Sequence, residues 1–304
     1  MMDWLLFGIF IFLMLTGVPL AVAMGLAGVA VVAVADLGMM SLPTNVYTGI
    51  AKYPLMAIPV FVIAGLIFEK AGVAATIVRF ASALVGQRRG SLAIVAILVA
   101  MILGGISGSG PADSAAVGAV MLPSMLKAGY PRSFTAGVIA AAGSTDILIP
   151  PSIAFVIYSL LVPQASVPAL FAAGMIPGIL SGLTLILVAW WLSVKNNFEA
   201  EPAEPRPPFW KSLKEAGWGL LAPVIILGGM RSGFFTPTEA AVVAVFYGLL
   251  VGMVIYRTLT WKEVYQVLVE SAEISSVILT VVALASATTV RITEEISADS
   301  TSTW

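Results

Sequence analysis

Residues 104–152 read GGISGSGPADSAAVGAVMLPSMLKAGYPRSFTAGVIAAAGSTDILIPPS, and two helix-breaking polar clusters inside this stretch decide the fold. The first is GGISGSGPAD at 104–113, the second GSTDILIPP at 143–151, and long apolar runs flank both. In hydrocarbon an unpaired backbone N–H or C=O costs several kcal/mol. An interrupted helix therefore survives only inside protein or beside a water-filled cavity. Gly, Ser, Thr and Asp at such interruptions are the pattern of an ion- and solute-binding site at membrane depth. The candidate residues are Gly105, Ser107, Gly108, Ser109, Gly110 and Asp113 in the first cluster. In the second they are Gly143, Ser144, Thr145, Asp146, Pro150 and Pro151.

Composition agrees with a membrane setting. Of 304 residues, 60% are hydrophobic and 10% charged, against roughly 25% charged in soluble domains. The apolar runs approach the roughly 20 residues that a spanning helix needs, whereas barrel strands would alternate over about 10. A net charge of −1 gives no reason to expect nucleic acid, and the absence of cysteine and histidine excludes disulfides, thiol nucleophiles, zinc centres and Ser–His dyads. Asp3 is the only early charge and neither a basic n-region nor a suitable cleavage site follows, so the first apolar segment reads as a retained helix.

Working outward, the first cluster lies in the middle of apolar residues 91–126, too many for one span and few for two. Arg88 and Arg89 precede this segment, and Lys127 and Arg132 follow it. Basic residues at both ends put both ends on one side of the membrane, which predicts a re-entrant hairpin with its tip at 107–111. The second cluster predicts a broken helix over 132–162: a half-helix to Thr145, a break at 146–151 made firm by Pro150-Pro151, then a resumed helix. A span follows at 169–194, ending in Trp190, Trp191 and Lys195, an interfacial signature.

Toward the N-terminus, apolar residues 4–35 are interrupted by Gly17 and Pro19 and form either one kinked helix or two short ones. A turn-rich link containing Pro43 and Asn45 leads to a span at 54–68, and 73–87 reads as an amphipathic surface helix carrying Arg79. Beyond a polar linker at 195–215 come an apolar run at 217–230 and a turn at 234–241. There Thr236 or Thr238 caps a helix and Glu239 meets its positive end. A span at 239–256, an amphipathic helix at 261–273 and an apolar entry at 274–287 follow. The order of elements at 54–103 recurs at 238–287, as in proteins built from internal repeats. The expectation is an all-α polytopic membrane protein of ion-transporter type. Its first repeat, 1–194, is complete; its second, 216–287, is incomplete; and a polar, disordered tail occupies 288–304.

Five segments carry a family resemblance: GGISGSGPADSAAVG, KAGYPRSFTAGVIAAAGST, ILIPPSIAFVIY, LFAAGMIPGIL and GFFTPTEAAVVAV. Through them the chain resembles, over about residues 1–287, the large membrane subunit (DctM type) of tripartite ATP-independent periplasmic (TRAP) transporters. The resemblance implies a non-enzymatic, multi-pass protein of the bacterial inner membrane that imports small organic acids with sodium as coupling ion and no further cofactor. It also implies a small membrane subunit and a periplasmic substrate-binding protein as partners, and an elevator movement of the hairpin domain. Family members continue to a second hairpin and a second Pro-Pro break. Residues 288–304 read as an unrelated tail, which predicts a truncated product.

Sodium is a hard cation that prefers oxygen ligands. The ion is expected between residues 107–109 and 143–146, with Ser107, Ser109, Ser144, Thr145 and Asp146 as candidate ligands. The half-helix after Pro111 offers free N–H groups to a substrate carboxylate. For Asp113 both helix capping and ligation stand open, and Arg231 reads as an interfacial anchor. Two alternatives remain at this point. One is an intramembrane protease using Ser107 or the Asp113/Asp146 pair, though no histidine supplies the serine's usual base. The other is an inserted product that carries nothing.

Overall fold

The computed structural model describes the backbone of residues 2–34, 40–162, 164–198 and 207–301, and the side chains of those residues outside 2, 3, 41 and 287–301. Among the described residues every regular element is helical. Five helical segments are long and apolar enough to cross a membrane: Tyr53–Lys70, Val167–Lys195, Phe209–Arg231, Pro237–Ile255 and Trp261–Ser286. The chain divides into two units, residues 1–55 with 272–304 and residues 56–271.

In the first unit, α1 (Met2–Leu15) and α2 (Leu20–Val34) pack on each other. The apolar run at 4–35 is thus two short helices, divided around Gly17, whose φ of 84° no helix continues. The expected turn-rich link is instead helix α3 (Ser41–Ile50), with Pro43 in its first turn, where its missing N–H breaks no helical bond. Gly25 faces Leu284 and Gly49 faces Ser286, so small residues let the helices of this unit approach closely.

The second unit carries both clusters. Helices α4 (Ala57–Lys70) and α5 (Val73–Val85) precede α6 (Ser91–Ser107), α7 (Gly110–Lys127), α8 (Arg132–Asp146) and α9 (Ile153–Leu161). After them come α10 (Val167–Lys195), α11 (Phe209–Arg231) and α12 (Pro237–Leu249), the last continued by a π-helical turn at Leu250–Ile255. The core is centred on α6, whose Ala93, Ala96, Ile97, Val99 and Ala100 are fully enclosed. Helices α6, α7 and α8 pack on one another, and α10 packs on α6 and α8. α5 presents Val73, Ala74, Ile77 and Ala81 to the interior, with α6 and α11 against it. Its Arg79 pairs with Glu215 at 3.3 Å on the outside. Separately, α4 packs along α12, where Gly248 lies against Ile67 and Phe68.

α10 ends in a tight cap: Asn197 takes the left-handed conformation at φ 53° and the Phe198 N–H donates to the Ser193 carbonyl at 2.9 Å. Arg89 donates to the Asn197 side-chain oxygen at 2.8 Å, and Phe198 packs on Tyr130 and Phe134 at the α7–α8 turn. Helix α11 begins at Phe209, inside the expected linker, of which 199–206 lie outside the described residues. Thr236 and Glu239 form the anticipated cap as a complete capping box, and Thr260 with Glu263 repeats it at the start of α13 (Trp261–Thr301).

Helix α13 corrects two expectations. It runs without a break over Trp261–Thr301, so the amphipathic helix and the apolar entry are one element. Helical backbone also continues through 288–301, where a disordered tail was expected; 302–304 lie outside the described residues. In the order of elements expected to recur, α12 takes the place of α4, but α5 and α6 do not recur after it as separate helices.

Candidate functional site

The two clusters meet. α6 ends at Ser107 because Gly108 turns left-handed at φ 66°, and α7 starts after Ser109, so the tip of the hairpin is two residues long. A Cβ on Gly108 would run into the Pro151 carbonyl and one on Gly110 into the Gly143 carbonyl, so here backbone touches backbone. A Cβ on Gly104 would stand 2.7 Å from Asp146 Cβ. The hairpin tip, the end of α8 and the start of α9 thus form one junction.

The broken segment pairs several of its own backbone groups. Leu148 N–H donates to Thr145 O at 3.0 Å and Ile149 N–H to Asp146 O at 3.1 Å. Pro150 and Pro151, joined by a cis bond, have no N–H to place. The Ser152 hydroxyl donates to Ile147 O at 2.6 Å, and Ile153 N–H crosses to the hairpin and donates to Gly108 O at 3.4 Å. This accounting is what lets a helix break at depth.

The five candidate cation ligands fare differently. Ser107 donates to Asp113 Oδ2 at 2.6 Å and accepts the Ser109 N–H at 3.1 Å, so it organises the tip. Asp113 is buried in the first turn of α7 and receives this hydroxyl, and no side-chain cap hydrogen bond forms at Ser109. Ser109 is half-buried at the tip. Thr145 is buried and donates to Ala142 O at 2.7 Å. Ser144 points outward, exposed, with its hydroxyl on Ala141 O, so the fold does not bring it to the junction.

Asp146 stands apart. It is 0% exposed, and neither carboxylate oxygen has a hydrogen-bond partner. An ionised carboxylate in such surroundings requires a compensating positive charge or a bound cation. Among the described residues no three of His, Cys, Asp and Glu come together. Ser152, Ser114 and Gly65 also belong to the junction and were missed. Ser152 follows directly on the Pro-Pro pair; Ser114 lies over Gly143; Gly65 of α4 brings that helix against Ser107. A lone glycine within the apolar 54–68 run was the only sequence signal for the last.

Interrupted helices meeting inside a helical bundle define a polytopic membrane protein whose polar site lies at helix breaks. The family model described as the DctM component of the tripartite ATP-independent periplasmic transporter matches residues 7–304, and the chain belongs to that family. The match includes 288–304, so those residues are not the unrelated tail expected from the sequence.

Curated relatives agree. The isethionate TRAP transporter permease protein DctMQ of Oleidesulfovibrio alaskensis is 38% identical over 282 residues, covering 92% of this chain and 44% of that protein. The C4-dicarboxylate TRAP transporter large permease protein DctM of Rhodobacter capsulatus is 35% identical, covering 91% of this chain and 66% of that protein. The 2,3-diketo-L-gulonate TRAP transporter large permease protein YiaN of Escherichia coli K12 is 40% identical, covering 88% of this chain and 63% of that protein. The chain thus spans between 44% and 66% of the length of these relatives. Family membership and the long apolar helices place it in the bacterial inner membrane as a multi-pass protein, in a family of transporter components rather than enzymes, and the protease reading falls away.

Proposed function

We propose that this chain is the permease part of a secondary transporter that takes up small organic acids coupled to sodium, with the ion held at the junction of the hairpin and the broken helix. The observation that carries this is Asp146, wholly buried and without a partner at the meeting point of α6, α8 and the hairpin tip. Asp146 supplies the negative charge and Ser109 and Thr145 further oxygens; the cation neutralises the carboxylate. An anionic substrate then approaches a site whose charge is already balanced. The relatives' names, which specify isethionate, C4-dicarboxylate and 2,3-diketo-L-gulonate, support an organic anion as substrate. The hairpin tip is read as re-entrant, and α6–α10 as the body that moves in an elevator step. A periplasmic binding protein delivers the substrate and a small membrane subunit completes the assembly.

The test is uptake of labelled organic acids into proteoliposomes containing the chain, a small subunit and a binding protein of the same family, under a sodium gradient or an equal potassium gradient. Sodium-driven uptake that is lost in Asp146→Ala and Ser109→Ala supports the reading. Uptake independent of sodium, or unchanged in Asp146→Ala, overturns the assignment of the ion to this junction. Absence of uptake by inserted, folded protein identifies a chain that carries nothing by itself.

A further inference from the structure

The hairpin has a second polar feature, where it faces α4. Helix α4 meets the hairpin at Gly65, where an added Cβ would stand 2.9 Å from Ser107 Cβ. One turn further along the same face of α4 comes Glu69, since residues four apart on a helix are neighbours. Between them is a cavity of about 20 Å³ walled by α4, α5, α6 and α7, enough for one water-sized occupant. Its walls are Phe68, Ala74, Leu103, Ile106 and other apolar groups, with three polar exceptions: Glu69, Ser107 and Asp113.

Those three are graded in burial. Glu69 is exposed at one end, while Ser107 and Asp113 are buried and hydrogen-bonded to each other. Among the described residues Lys70, next to Glu69, pairs with Glu270 at 3.6 Å, and Glu69 itself forms no ion pair. Asp113 lies within electrostatic reach of both Asp146 and Glu69. Oxygen-bearing groups thus line the cavity from Glu69 at the exposed end of α4 to Ser107 and Asp113 at the hairpin tip, and Asp113 is in turn within electrostatic reach of Asp146.

We propose that Glu69 and this cavity form the entry for the monovalent cation, with Glu69 as the positioning residue that draws it in and Ser107–Asp113 as its first buried stop. The proposal rests on the reading that the junction binds sodium. It adds a residue outside both clusters and a side of approach. The cation exchanges water for carboxylate and hydroxyl oxygens in sequence, so its charge is never left in an apolar wall without a ligand.

The experiment is sodium-dependent thermal stabilisation of the purified chain in detergent or nanodiscs, titrated against choline at constant ionic strength. Glu69→Gln is expected to raise the half-saturating sodium concentration roughly fivefold, as expected from losing one charge at a partly solvated distance, and Glu69→Asp to restore most of it. Because the chain has no cysteine, Glu69→Cys carries its only thiol. Labelling that folded variant with a negatively charged sulfonatoethyl thiosulfonate is expected to recover sodium affinity. The trimethylammonium counterpart is expected to lower it further. Reading one sample before and after labelling keeps the test independent of how each variant folds. Sodium titrations identical in wild type, Glu69→Gln and both labelled forms, with the response still lost in Asp146→Asn, overturn the entry role and leave the junction site standing. A wild-type chain with no sodium response overturns both.

Discussion

Replacing Gly108 by alanine tests whether the hairpin tip and the broken helix are in contact. Two costs add at this position. The left-handed φ of 66° penalises a Cβ by about 1–2 kcal/mol. The Cβ would also meet the Pro151 carbonyl, a backbone group that cannot rotate away, and overpacking of this kind costs about 1–3 kcal/mol. Gly129, in the α7–α8 turn, isolates the first cost: its φ is 86° and nothing lies within 4 Å of an added Cβ. Gly129→Ala is therefore expected to lose about 1–2 kcal/mol and Gly108→Ala about 2–5 kcal/mol. Thermal unfolding of the two variants beside wild type, in one detergent and in sodium-free buffer, reads the difference directly. Equal losses would refute the contact, because then only backbone conformation, and not the approach of Pro151, would be felt at Gly108.

Three further outcomes are expected. Asp146→Asn should raise the unfolding temperature in sodium-free buffer, by an equivalent of about 1–3 kcal/mol, because it removes a buried charge without a partner; a lower unfolding temperature would show that the carboxylate is already compensated. Ser107→Ala should destabilise by about 1–3 kcal/mol, since Asp113 then stays buried without its donor, and unchanged stability by denaturant or thermal unfolding would contradict that bond. Thr236→Ala should cost about 1 kcal/mol through loss of the α12 capping box, measured the same way, with no change in the sodium response.

The breaks were legible in the sequence because they are local. Pro150-Pro151 stop a helix whatever surrounds them and Gly108 takes the left-handed turn that ends α6, and the observed ends of α6 and α8 fall within a residue or so of where those residues put them. The link containing Pro43 and Asn45 was misread because Pro43, a turn residue by frequency, sits in the first turn of α3, where proline is tolerated. The break expected between 273 and 274 rested on a change in composition alone; no Gly or Pro stands there, and α13 runs through. Helix phase within the second cluster puts Gly143 and Asp146, three apart, on one face and leaves Ser144 and Thr145 equally off it, so phase alone does not tell the exposed Ser144 from the buried Thr145. Gly65 and Glu69 lie some forty residues from the hairpin tip, and only tertiary packing brings them to Ser107 and Asp113.

The seam between hairpin tip and broken helix has a mechanical consequence. Where Gly108 faces Pro151 and Gly110 faces Gly143, main-chain atoms bear on main-chain atoms with no side chain between them. Glycine has no rotamers to lose, so forming these contacts orders no side chain. With no flexible padding, they cannot yield by degrees either. A displacement of a fraction of an ångström separates or collides the two surfaces, so this bearing is either seated or apart, and the two pieces of chain travel as one block for as long as it is seated.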